Sequence, residues 1–179
     1  PGAGVMSSTP RRRSRRVDAN QLGGSAETQT EQFIVPYDEN LLERARTQWQ
    51  FGDWRSLAAL EREMLQHHPD RAKLALLAAA GCLQTDQLNQ ARQYLRLALD
   101  WGCSHRLISQ ILAAGVHNSL GRAAALAGQQ ARALKHFECS IVVGTPGSDA
   151  NLLSQARATE QVRQLSLPGQ QLEFSGQPS

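Results

Sequence analysis

Aromatic side chains make up only 5% of this 179-residue chain. Runs of Val, Ile and Thr, the residues that suit a pleated strand, are nearly missing. The best is "CSIVVGT", Cys139–Thr145, and it sits at the end of a helical pattern. These two shortages argue against a sheet-based fold. No run of eighteen apolar residues occurs, so no segment is expected to span a membrane. The three cysteines, Cys82, Cys103 and Cys139, are odd in number and lie in helical patterns. They fit buried, reduced thiols of a cytoplasmic protein better than a disulfide framework. "RRRSRR", Arg11–Arg16, is not followed by an apolar stretch, which excludes a secretory signal there.

What is abundant is alanine, leucine, glutamine and arginine. Their side chains lose little rotamer freedom on a helix, and the length suffices for one domain with a sizeable core. Net charge is +3. The first 36 residues hold five arginines and three acids, or +2, whereas residues 38–179 hold 14 bases and 13 acids, or +1. The high pI therefore belongs largely to the N-terminal segment and is poor support for a nucleic-acid-binding domain.

Residues 1–5, "PGAGV", precede Met6 and are expected to be a remnant of cloning. Residues 6–36 are rich in Ser, Arg, Gly, Gln and Thr. They carry too little apolar surface to offset the entropy of ordering, so 1–36 is expected to be a disordered, Arg-rich segment. Residues 168–179 look equally loose. The folded domain is expected over 37–167.

Within it the helices are marked by punctuation. Asp38 is placed to cap a helix to Phe51, with Leu41, Leu42, Ala45 and Trp49 on one side. Gly52-Asp53 turns the chain. A single helix is expected from Trp54 to His67, with Leu57, Leu60, Met64 and Leu65 inward. Pro69 ends it and Asp70 caps the next, which carries Leu74, Leu77, Ala78 and Gly81. After "QTDQ", Leu88, Ala91, Leu95, Ala98 and Leu99 line a fourth. Ser104 caps an apolar stretch over 105–127, and Gly128 breaks it. Ala133, Leu134, Phe137 and Ile141 mark another. "GTPGSD" precedes the last, over 149–165, with Leu152, Leu153, Ala156 and Leu165 as its inward face. That makes six or seven helices.

The turns recur. Gly52, Trp54, Leu57, Met64, Leu65 and Pro69 shift by 34 onto Asp86, Leu88, Ala91, Ala98, Leu99 and Cys103. A further shift of 42 reaches Gly128, Gln130, Ala133, Ser140, Ile141 and Thr145, with Pro146 beside it. The third copy has Leu120-Gly121 before its turn and Ala133-x₃-Phe137 after it, and the second has Ala91-x₃-Leu95. This register over 38–146 resembles the tetratricopeptide repeat, whose pattern is W-x₂-L-G-x₂-Y, then A-x₃-F, then P. Small residues at these places let two helices approach closely. The resemblance implies an all-α fold: an α-solenoid of about three helix-turn-helix hairpins, with a C-terminal helix capping the open end.

Chemistry-bearing clusters are weak. His67-His68 and Cys103-x-His105 sit at helix junctions but lack the four-ligand spacing of a metal site. Glu61 and Glu63 point to different sides of a helix. "GTPGS" lacks the lysine and strand of a phosphate loop. No catalytic residue, metal or cofactor is therefore expected. The Arg11–Arg16 cluster admits three readings: a solvated segment, a charge-led contact with anionic lipid or nucleic acid, or a receptor-read signal. No aromatic residue interleaves it, which disfavours base stacking.

The resemblance implies a concave face lined by the leading helices. By register it shows Leu42, Arg46, Trp49, Lys73, Leu76, Ala80, Leu83, Asn118, Arg122 and Ala125. Ordinary core for the apolar members and ordinary surface for the polar ones are the alternative reading. In chaperone-tail-binding members a lysine and two asparagines clamp a carboxylate. Here the matching positions carry Leu42, Arg46 and Leu77, so that clamp is not present as such. The expected function is a non-catalytic scaffold of a bacterial cytoplasm, binding a peptide, a partner protein with acidic groups, or its own copy. Arg46, Lys73 and Arg122 would form a basic strip, with Trp49, Leu76, Leu83 and Asn118 beside it. The alternatives are an accessory domain of a larger enzyme, such as a glycosyltransferase or methyltransferase, and an adaptor led by the arginine segment.

Overall fold

A computed structural model describes residues 35–166. The expectations for the arginine cluster and for residues 168–179 lie outside the described residues. Among those described, regular structure is helical throughout, in the order α1 (Leu41–Phe51), α2 (Trp54–Ala58), α3 (Arg62–Leu65), α4 (Arg71–Gln84), α5 (Leu88–Asp100), α6 (His105–Leu126), α7 (Gln130–Gly144) and α8 (Ala150–Ser166). No helix among them is long and apolar enough to cross a membrane.

Three of the connections are the same turn. Gly52, Asp86 and Gly128 adopt left-handed φ values of 77°, 60° and 73°. The residues after them, Asp53, Gln87 and Gln129, have ψ of 71°, 62° and 69°. Each donates its N–H five residues back: to Gln48 O at 2.8 Å, Cys82 O at 2.8 Å and Ala124 O at 2.9 Å. This is a Schellman closure, which satisfies carbonyls left open at a helix end; Gly102, at φ 92°, and Cys103, whose N–H donates to Ala98 O at 2.8 Å, close α5 with the same bond. It explains the 34- and 42-residue shifts: the turn demands a left-handed residue, and glycine adopts it without a Cβ clash. After each turn, Leu57, Ala91 and Ala133 are buried.

Helix α4 is apolar around most of its circumference, with Leu74–Cys82 wholly buried. Such a helix must lie inside. It packs against α1, α2, α3, α5 and α6. Gly81 makes the close approach to α2 possible: a Cβ there would lie 2.6 Å from both the Ala58 nitrogen and the Leu57 Cβ. The α6–α7 hairpin uses Gly121 similarly, against the Phe137 ring.

Several sequence expectations need correction. There are eight helices among the described residues, because the helix expected over 54–67 breaks after Ala58. The buried Leu60 turns its carbonyl to the Tyr94 hydroxyl of α5, and Met64 N–H bonds Glu61 O instead. The break leaves Met64 exposed. Asp38 does not cap α1. Asn40 holds that position, while Asp38 accepts the Asn40 N–H at 3.0 Å and pairs with Arg44 at 2.6 Å. Asp70 stands at the start of α4 but gives its carboxylate to Lys73, at 2.8 Å. Ser104 and Asp53 do cap, accepting from Leu107 N–H and Ser56 N–H. Leu88, Leu99 and Leu134 are exposed; Ala91 and Ala98 form the buried line of α5.

The largest departure is α8. Leu152 is exposed, and the buried line is Ser154, Arg157 and Gln161. A polar stripe is buried because it meets a helix end. Arg157 Nε donates to Gln50 O at 3.0 Å, Nη2 to Trp49 O, and Nη1 to Ser140 Oγ at 2.7 Å. Gln161 donates to Gly52 O at 3.1 Å and accepts from the Trp54 indole at 3.0 Å. Trp49 O, Gln50 O and Gly52 O lie at the C-terminal end of α1, where the helix dipole also favours a cation. The guanidinium lies 4.6 Å from the centroid of Trp49 and 5.3 Å from that of Trp54. Burial pushes its pKa down to about 9, so it stays charged at neutral pH. Helix α8 thereby touches α1 as well as α6 and α7.

Two substitutions test this account. Asp86→Gly is expected to raise stability by roughly 0.5–1 kcal/mol, since it relieves a left-handed non-glycine residue. Equal or lower stability in urea unfolding would count against the shared turn. Arg157→Met is expected to cost about 2–4 kcal/mol, because it strands buried carbonyls. Arg157→Lys restores only part, as one ammonium cannot reach all three acceptors. A neutral Arg157→Met would show that α8 is not held at α1.

Candidate functional site

A cleft of about 510 Å³ opens where α1, α4 and α6 meet the end of α7. Its floor is apolar, from Leu42, Leu76 and Leu77, all nearly buried, with Leu107 and Ile111 of α6. Its rim is polar. Glu43, Arg46, Thr47 and Gln50 share one side of α1 at helical spacing, and Lys73 faces them from the first turn of α4. Gly144, Thr145 and Pro146 close one end. Gly144 is required there: a Cβ would lie 2.1 Å from the Trp49 ring.

The rim is a balanced set of charges. Arg46 Nη1 pairs with Glu43 at 2.8 Å and Lys73 Nζ with Asp70 at 2.8 Å. The hydrogen bond from Lys73 holds the Asp70 carboxyl below its ordinary range, and the charges of Lys73, His68 and Arg46 add to that. The two cations are about half exposed, at 47% and 48%. Such exposed pairs contribute little to stability, so a ligand anion can take either cation at small cost. The cleft therefore offers two exchangeable cations above an apolar floor.

The residues expected to share one face are only partly brought together. Arg46, Lys73 and Leu76 line the cleft with Leu42. Trp49 lies behind it in the core, edge-on to Trp54 at 6.5 Å and under Arg157. Asn118 is fully buried and donates to Gln84 Oε1 at 3.0 Å. Arg122 does not join a basic strip; its Nη1 donates to Gln84 O at 2.9 Å, at the end of α4. Leu83 lines a separate apolar hollow with Leu112 and Val116. Ala80 is buried and Ala125 partly so.

Sequence reasoning missed Glu43, Thr47, Gln50, Leu107, Ile111 and the Gly144–Pro146 end. Glu43 and Gln50 were reachable, being three residues before and four after Arg46. Leu107 and Ile111 belong to the first turns of α6, whose 22 residues exceed the 14 of α4. Elsewhere among the described residues, no group of three or more His, Cys, Asp and Glu side chains converges. Burial raises the Cys82 and Cys103 thiols, which disfavours their reactive thiolate form. Compared with known proteins, the chain matches no family model, no curated protein and no solved structure.

Proposed function

We propose that the chain is a non-catalytic interaction scaffold, a short α-solenoid of tetratricopeptide-like hairpins that holds a peptide or partner protein with acidic groups. The observation that carries this reading is the cleft, where Arg46 and Lys73 stand over Leu42, Leu76 and Ile111. A carboxylate from the partner replaces Glu43 or Asp70 as acceptor, and an adjacent apolar side chain settles on the floor. The turns at Gly52, Asp86 and Gly128 support the repeat reading, because each is followed at a fixed spacing by a buried Leu57, Ala91 or Ala133. The binding face is smaller than the sequence register implies. Trp49 and Asn118 support it from inside, and Arg122 stands apart.

A charge-assisted hydrogen bond in a partly desolvated site is worth roughly 1.5–3 kcal/mol. Arg46→Glu and Lys73→Glu are therefore each expected to weaken partner binding about tenfold or more. Thermal melts should change little. The partner is found by capture from the native host and mass spectrometry, and titrated against wild-type and reversed proteins. Unchanged affinity for both reversals, at intact stability, would place the partner on another surface.

A further inference from the structure

Helix α6 has an outer face unlike the other long helices. Ala113, Val116, Leu120, Ala123 and Ala127 stand exposed along it without a charge between them, Val116 and Leu120 at 60% and 45%. Two hollows run beside this strip. One, of about 430 Å³, lies between α4 and α6 against Leu83, Leu112 and Val116. The other, of about 220 Å³, lies where α6 turns into α7, against Ala123 and Ala127. Leu120 lines both and stands between them, so the two hollows adjoin along α6. From Leu112 to Ala127 this grooved face is about 22 Å long at 1.5 Å per residue, room for four turns of a docked helix.

The charge around the groove says what fits it. Residues 105–144 hold Arg106, Arg122, Arg132 and Lys135 against Glu138 alone, so 4 − 1 = +3. Residues 38–179 as a whole carry only +1. The positive charge is thus concentrated on the hairpin that bears the groove. Arg106 stands seven residues before Ala113, on the same side of α6, and so continues the strip at one end. Arg132 lines the hollow at the other end with His136. Neither takes part in any of the ion pairs among the described residues. A second copy would bring the same cationic ends and no compensating acid, which opposes an isologous pairing.

We propose that this groove docks an amphipathic α-helix of a partner protein, apolar on its buried side and acidic at both ends. Large side chains of that helix would sit in the two hollows, and its terminal carboxylates would meet Arg106 and Arg132, a helix-in-groove mode of recognition. The site is separate from the cleft and uses none of its residues.

The test uses the full chain and a labelled amphipathic peptide of about 18 residues, five turns. It carries leucines at i, i+4, i+7 and i+11 and glutamates in its first and last turns; a twin has lysines for the glutamates. Fluorescence anisotropy should show the glutamate peptide binding at least tenfold more tightly than its twin. Leu120→Asp should abolish that binding, and Arg132→Glu should weaken it about tenfold. Arg46→Glu and Lys73→Glu should leave it unchanged, which keeps this result distinct from any failure of the cleft. If Leu120→Asp does not fold, Val116→Ser and Arg132→Glu serve instead. The proposal is overturned by absent binding, by equal binding of the twins, or by loss of binding in the cleft variants. It is equally overturned by a wild-type dimer in sedimentation that Leu120→Asp or Val116→Ser dissolves, since a second copy would then be the occupant.

Discussion

A guanidinium buried at the end of the first helix organises this molecule. Arg157 sits at the C-terminal end of α1, between the indoles of Trp49 and Trp54, and bonds Trp49 O, Gln50 O and Ser140 Oγ. No carboxylate pairs with it among the described residues. Removing such a cation from water is costly. Three acceptors, two aromatic faces and the negative end of the α1 dipole offset that cost. The arrangement fixes the last helix against the first over 107 residues of chain. It also settles two local features: the polar inner line of α8 and the glycine at position 144, where α7 ends against Trp49.

A polar network extends from this point inward. Gln161 joins Gly52 O to the Trp54 indole. Asn118 reaches Gln84, and Gln84 reaches the carbonyl of Gly115. Buried amides are costly unless satisfied and directional when they are; here Asn118 Nδ2 holds Gln84, while its Oδ1 is left without a partner. They bind α4, α6 and α8 at fixed angles, which a core of alanines and leucines alone would leave less specified. Asn118 and Gln84 fall 34 residues apart, and their contact is a bond between α6 and α4.

The sequence made the helical class, most element boundaries and the three turns legible, because each rests on local chemistry. Gly52, Asp86 and Gly128 mark left-handed positions, and Ser104 is a cap. Long-range contacts were not legible. Nothing near Leu60 announces that Tyr94, 34 residues on, will take its carbonyl and break the helix. Of Leu152, Leu153, Ala156 and Leu165, only Leu152 is exposed; the other three are half-buried, but the fully buried centre of α8 is the polar line Ser154, Arg157 and Gln161. A hydrophobic pattern cannot reveal a helix that docks through hydrogen bonds. In the cleft, Arg46, Lys73 and Leu76 were legible from register. Arg122 was not, because the longer α6 places it beside Gln84 at the end of α4.

The same arginine links the fold to the cleft. Gln50 lines the cleft through α1, and its carbonyl accepts from Arg157. Thr145 and Pro146 line the other end and begin the connection into α8. Both walls therefore depend on α8 being seated, although α8 contributes no lining residue of its own. A cleft with one wall from α1 and another from the end of α7 depends on α8 being seated against α1. The buried cation, costly on its own account, is what gives the cleft between α1, α4 and the end of α7 its bounded end.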